Sequence, residues 1–323
     1  MRLRYICGLV LLLAGQLFAD GPELLRTTAT RPAGTATARP APAVSVAKPG
    51  QKYTTPSPEE IRILQEWVDS QQQKIEKNLK VKLVRLETPH FQILTDWDPQ
   101  EYSFLKDNFE AAYAAVTTQF NIPVSENVFV GKLPCFVFTA FTPFKEFLET
   151  FQMKGVVPDM QGIHVSMGYG MGFMAVHKPQ ADHGGKKTSD AMVMWKYVLT
   201  HEMTHAFVAR YISDRHVITW LNEGIAEVVA SSRILHNVHV EAQYAASKYG
   251  SLDKLFADDG KFKSADMYPV MRTLVEVLIK KDHTAFMKMF DDIKGGKEPD
   301  VALMDDYHWT YAQLEAVWRQ YIK

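Results

Sequence analysis

Two histidines four residues apart enclose a glutamate in the run His201-Glu202-Met203-Thr204-His205. On a helix, residues i and i+4 stand one above the other, so both imidazoles can grip a single metal ion. Glu202 projects beside them, where a carboxylate can take a proton from an attacking water. A third ligand is available in Trp220-Leu221-Asn222-Glu223-Gly224-Ile225-Ala226-Glu227, in which Glu223 follows His205 by 18 positions. Two histidines and one carboxylate suit one Zn2+ per chain, with a coordination position left open for chemistry. A purely structural zinc usually takes four protein ligands and has no use for the neighbouring base. Glu227, one turn beyond Glu223, can accept a hydrogen bond from the outer nitrogen of a zinc-bound histidine.

Two further residues are read as bystanders. Cys135 lies in the apolar run 133–140, where a buried, inert thiol is expected rather than a nucleophile. Cys7 falls in the leader described below, so no internal disulfide is expected. His216 lies between His205 and Glu223 in sequence and reads as loop surface.

The elements that must position these groups follow from periodicity. Ser189 can cap a helix that runs to about Tyr211 and carries both histidines, and a second helix covers Thr219 to Leu235. The glycine-rich but β-like stretch Gly162 to His177 suits an edge strand or hairpin. Upstream, Ser57-Pro58-Glu59-Glu60 starts a helix that reaches about Lys80. Alternation predicts strands over Val81–Thr95 and Val128–Phe141, with helices over Pro99–Phe120 and Thr142–Phe151. Helices at Ala265–Lys280, His283–Ile293 and Thr310–Ile322 complete the chain. The expected fold class is α+β: a mixed first part with a small sheet, then a mostly helical part holding the metal residues.

Residues 1–19 have a basic start, an apolar run and Ala19, the layout of a secretory signal peptide, which predicts export to the periplasm or outside the cell. Residues 20–57 are rich in Pro, Ala and Thr and read as a flexible linker. Residues 58–323 form the folded unit, and nothing later is apolar enough to span a membrane. With 36 basic and 37 acidic residues the chain offers no general electrostatic pull on nucleic acid. No heptad run marks an oligomer seam.

The pair His-Glu-x-x-His and Trp-Leu-Asn-Glu-Gly resembles the gluzincins, which include thermolysin-like enzymes and related aminopeptidases. The resemblance implies a zinc metallopeptidase in which His201, His205 and Glu223 bind the metal and Glu202 is the general base. It also implies an acid at Glu227, and it likens Tyr268, at the start of a helix, to the tyrosine some gluzincins use to stabilise the oxyanion. Residues 82–323 are similar to the peptidase-MA-like domain of exported bacterial proteins, including the closing segment Tyr307 to Trp318. One departure concerns the aminopeptidase Gly-x-Met-Glu-Asn strand, against which Gly172-Phe173-Met174-Ala175-Val176 lacks the amine-binding glutamate. The expectation is therefore peptide-bond hydrolysis within a peptide or protein substrate, whose extended backbone would pair with the glycine-rich strand. The alternatives are a non-catalytic peptide- or cell-wall-binding module with a zinc site, and a peptidoglycan amidase.

Overall fold

Ser57 starts the first helix as its spacing predicts: its Oγ accepts from Glu60 N–H at 3.2 Å, while Glu60 Oε2 accepts from Ser57 N–H at 2.7 Å. The computed structural model describes residues 46–48, 50–158, 160–168, 170–179, 188–230, 238–257 and 265–323, so the signal-peptide reading of 1–19 lies outside the described residues. Helix α1 (Pro58–Asn78) turns Leu64, Trp67, Val68, Gln71 and Ile75 inward at helical spacing. Strands β1 (Val84–Glu87) and β2 (Phe91–Thr95) replace the single strand expected over 81–95. Pro89 interrupts the run, and Thr88 closes the turn by accepting Phe91 N–H on Oγ1 at 3.0 Å.

A 3-10 turn at Pro99–Glu101 leads into α2 (Tyr102–Gln119), followed by β3 (Leu133–Phe138) and α3 (Phe141–Glu149). The glycine-rich stretch is a hairpin, β4 (Gly162–Gly168) and β5 (Met171–His177). The sheet runs β1-β2-β3-β5-β4, with β2, β3 and β5 parallel and the two outer pairings antiparallel. Its neighbouring side chains point to opposite faces. Phe91, Ile93, Cys135, Val137, Met174 and Val176 pack with α2 and the metal-motif helix, whereas Leu94, Phe136, Phe138, Phe173 and Ala175 pack with α1 and α3. Cys135 is fully buried, and burial pushes its thiol well above the usual range, in keeping with an inert role.

Beyond the sheet the chain is helical: α4 (Thr188–Val208), α5 (Thr219–Ala230), α6 (Val238–Tyr249), α7 (Asp253–Phe256), α8 (Tyr268–Lys281), α9 (His283–Gly295), α10 (Pro299–Tyr307) and α11 (Tyr311–Tyr321). The fold is α+β. Helices α6, α7 and α10 were not anticipated from sequence. Ser189, expected as a cap, falls inside α4, which begins at Thr188, and the part of the second helix expected over 231–235 lies outside the described residues. No helix among the described residues is long and apolar enough to cross a membrane.

Helix α8 is the hub of this half, burying Val270, Met271, Leu274, Val275 and Leu278 against its neighbours. Gly224 lets α5 approach it: a Cβ there would stand 2.5 Å from Met271 O. The close approach that glycine provides is thus to α8.

Residues 46–48 and 50–54, read from sequence as linker, lie against the loop between α4 and α5. Bridges join Val46 to Ser213 and Tyr53 to Tyr211. Ala47 N–H donates to Ile212 O at 2.6 Å, and Ile212 N–H donates to Lys52 O at 2.7 Å. Ile212 has φ 59°, a left-handed conformation that a β-branched residue adopts only when its surroundings hold it there. Arg210 adds Nη2 to Thr54 O at 2.6 Å and Nε to Val128 O at 3.2 Å. Beneath the loop, Lys294 is 0% exposed and donates to Arg215 O at 2.7 Å, while Ser213 Oγ donates to Lys294 O at 2.5 Å. Burial brings the Lys294 ammonium down to about 7.

Candidate metal centre

Helix α4 carries Tyr197, His201 and His205 at successive intervals of four, so they share one face, and Glu202 is turned from that face toward β4. Helix α5 packs on α4 and presents Glu223 and Glu227, again four apart. The first residue of α8, Tyr268, brings its ring to 6.4 Å from that of His201. All the residues expected at the site from sequence are therefore gathered on three helices. His216, left out of the site, is exposed on the loop.

The inner atoms converge. His201 Nε2 lies 3.1 Å from His205 Nε2, and Glu223 Oε2 lies 3.3 Å from the first and 3.4 Å from the second. Glu223 Oε2 is buried without hydrogen-bond alignment to either ring or to any other described residue. Three buried acceptor atoms facing one another repel unless a proton or a cation sits among them. Ligand atoms about 2.0–2.1 Å from a tetrahedral zinc stand about 3.3–3.4 Å apart, which is close to the observed triangle. His201, His205 and Glu223 could thus hold a metal ion.

Electrostatics agree with the geometry. Burial alone would raise the Glu223 carboxyl, but His205 and His201 outweigh it and hold the group well below the usual carboxylate range, as an anion. Burial opposes charge on His201, yet Glu223 and Glu227 outweigh it and hold the imidazole well above its usual value. A metal cation entering the triangle would displace that proton. Glu202, 2% exposed, is raised by burial, which is partly offset by His201, His205 and the His164 N–H.

A shell of supports surrounds the triangle. Glu227 Oε1 stands 3.3 Å from His201 Nδ1, within ion-pair reach though outside hydrogen-bond alignment. The same oxygen accepts a hydrogen bond from the Tyr197 hydroxyl. Tyr197 was not anticipated from sequence. The available signal was its place one turn before His201, on the same helical face. His164 was also unanticipated: its main-chain N–H donates to Glu202 Oε2 at 2.8 Å, a contact no residue type announces.

The strand facing the site is β4. Gly172 to Val176, aligned from sequence with the aminopeptidase motif, belongs to β5, which is enclosed between β3 and β4. The outer strand, Gly162–Gly168, contains no acidic side chain.

No family model matches this chain, and no curated protein matches its sequence.

Proposed function

We propose that the chain is a zinc-dependent peptidase that cleaves peptide bonds within its substrates. The observation that carries this reading is the buried triangle of His201 Nε2, His205 Nε2 and Glu223 Oε2, with the carboxylate of Glu202 beside it on the same helix. When bound, zinc supplies Lewis acidity toward a carbonyl oxygen and toward water. Glu202, its basicity raised by burial, takes a proton from the attacking water and returns it to the leaving amine. Glu227, steadied by Tyr197, orients His201. The Tyr268 phenol, next to the His201 ring, donates to the oxygen on which charge develops.

Substrate selection follows from β4. An extended peptide adding along the outer strand, beyond the His164 N–H that Glu202 takes, gains affinity from main-chain hydrogen bonds, which carry little side-chain preference. With no acid on β4, a free substrate amine has no anchor on that strand, which favours internal cleavage over N-terminal trimming. An export leader over 1–19 directs the enzyme to peptides or proteins outside the cytoplasm.

The test combines zinc analysis of the purified chain with hydrolysis of a quenched peptide library, and Glu202→Gln is the paired variant. The expected result is one zinc per chain in both proteins and a loss of about 10²–10⁴-fold in rate for Glu202→Gln. Zinc without cleavage would favour a binding module or an amidase. Absence of zinc would remove the reading altogether.

A further inference from the structure

The base of the proposed reaction is held by the sheet. Strand β4 is the outer strand, paired antiparallel with β5. His177 N–H donates to Gln161 O at 3.0 Å, and in an antiparallel ladder alternate residues bond to the partner while those between turn outward. Gln161, Ile163 and Val165 therefore serve β5, and Gly162, His164 and Ser166 direct main-chain groups away from it, to the outer edge of the sheet. One of these outward groups meets α4: His164 N–H donates to Glu202 Oε2 at 2.8 Å. Among the described residues this is the one hydrogen bond to that carboxylate, which is 2% exposed. The imidazole of His164 does not make this contact: it lies over Gly172, where a Cβ would come within 2.6 Å of its Nε2, and within electrostatic reach of His205.

We propose that the main-chain N–H of His164 is a positioning group for Glu202, holding Oε2 at the sheet edge so that Oε1 is the oxygen presented for proton transfer. A carboxylate on a rotatable side chain can turn either oxygen, or neither, toward a water. A donor fixed in a β-ladder removes that freedom without adding a competing acid or base. The same contact couples the two halves of the molecule, because the helix that holds the metal and the strand that receives an extended peptide share this hydrogen bond. The inference rests on the peptidase reading for its kinetic consequence, and on the hydrogen bond alone for its structural one.

Removing the N–H without altering the side chain is the decisive change. His164→Ala in the full-length, zinc-loaded chain is compared with the same chain carrying lactic acid at position 164, which replaces the N–H by an ester oxygen. The ester is expected to lower kcat about ten- to a hundredfold relative to His164→Ala, with KM moving by less than about threefold, as for loss of a hydrogen bond to a charged group that acts in the chemical step. Equal kcat for the two chains would overturn the proposal, as would an effect confined to KM. His164→Pro, tolerated where an edge N–H faces outward, is the second variant should the ester chain fail to fold. Hydrogen exchange at the His164 amide gives a readout that needs no catalysis. It is expected to run at least about tenfold slower in the wild type than in Glu202→Ala, and equal rates would overturn the contact. A wild-type chain that hydrolyses no peptide defeats the peptidase reading only, and the exchange measurement still decides the contact.

Discussion

Two clusters of buried polar side chains share the loop between α4 and α5, and they are completed in different ways. Around Lys294 the donors have acceptors: Lys294 on Arg215 O, Ser213 on Lys294 O, Arg210 on Val128 O and Thr54 O, and Tyr211 on Asp291. Among the atoms of that cluster, Asp214 Oδ1 is left without a partner among the described residues. Around His201, by contrast, two imidazole nitrogens and a carboxylate oxygen crowd one another, and His201 Nδ1, His205 Nδ1 and Glu223 Oε2 all lack aligned partners. Burial is common to both clusters and so says nothing about function. The partners separate them: in one cluster the donors find carbonyl and carboxylate acceptors and tie the loop down, while in the other three ligand-type atoms converge on a place that a cation could occupy.

Removing a ligand breaks the second cluster most sharply. Glu223→Ala is expected to lower zinc affinity by more than about a hundredfold, beyond the usual cost of losing an outer partner, as read by chelator competition. The fold should survive, because the change deletes a side chain whose inward oxygen has no aligned protein partner. A loss of structure together with the metal would mean that the triangle serves the scaffold, and the contrast would fail.

Lys294→Met tests the first cluster and should leave zinc binding intact. The Lys294 ammonium titrates near 7 in the folded chain against an ordinary value of 10.5, so between these values the unfolded chain binds more protons. Wild-type stability therefore rises with pH through that window, and the cost of the buried charge is present in full below it. Lys294→Met lacks this dependence. Its stability relative to wild type, from urea unfolding, should decline by about 1–3 kcal/mol between pH 7 and pH 9. A flat difference would show that the ammonium keeps its proton in the folded chain.

The smallest effect is expected at the outer edge of the metal cluster. Tyr197→Phe removes the hydroxyl that holds Glu227 Oε1 and should weaken zinc binding by about three- to tenfold, toward the low end for outer partners. Glu227→Gln should weaken it at least as much. An effect of Tyr197→Phe that persists unchanged in the Glu227→Gln background would place the hydroxyl outside the path from Glu227 to His201.

What the sequence reveals about this site depends on how local each relation is. His201, Glu202 and His205 are legible because helical spacing alone places them together, and Glu223 because a second helix follows after a short loop. The hairpin of β4 and β5 is legible as a type of element, but which strand lies outermost is a matter of long-range pairing, and the inner strand β5 was the one aligned with a known motif. Pro89 divides a predicted strand through a turn that alternation does not register. Helices α6, α7 and α10 escape the sequence because their buried positions are set by packing on α8, α9 and α5 rather than by a strong apolar stripe. The His164 contact is made by a main-chain atom and leaves no mark in residue type.

The strip of chain at 46–54 changes what it means to trim this protein. It contains none of the metal residues, yet its two hydrogen bonds hold Ile212 in a conformation that residue would not keep unaided, midway along the connection from His205 to Glu223. A protease cutting after position 55 would leave every ligand and the Ser57 cap of α1 in place, and would still release the spacing between the two halves of the metal triangle. A shortened chain that begins at the Ser57 helix cap, the obvious starting point from sequence, should consequently hold zinc less firmly than one that begins before Val46.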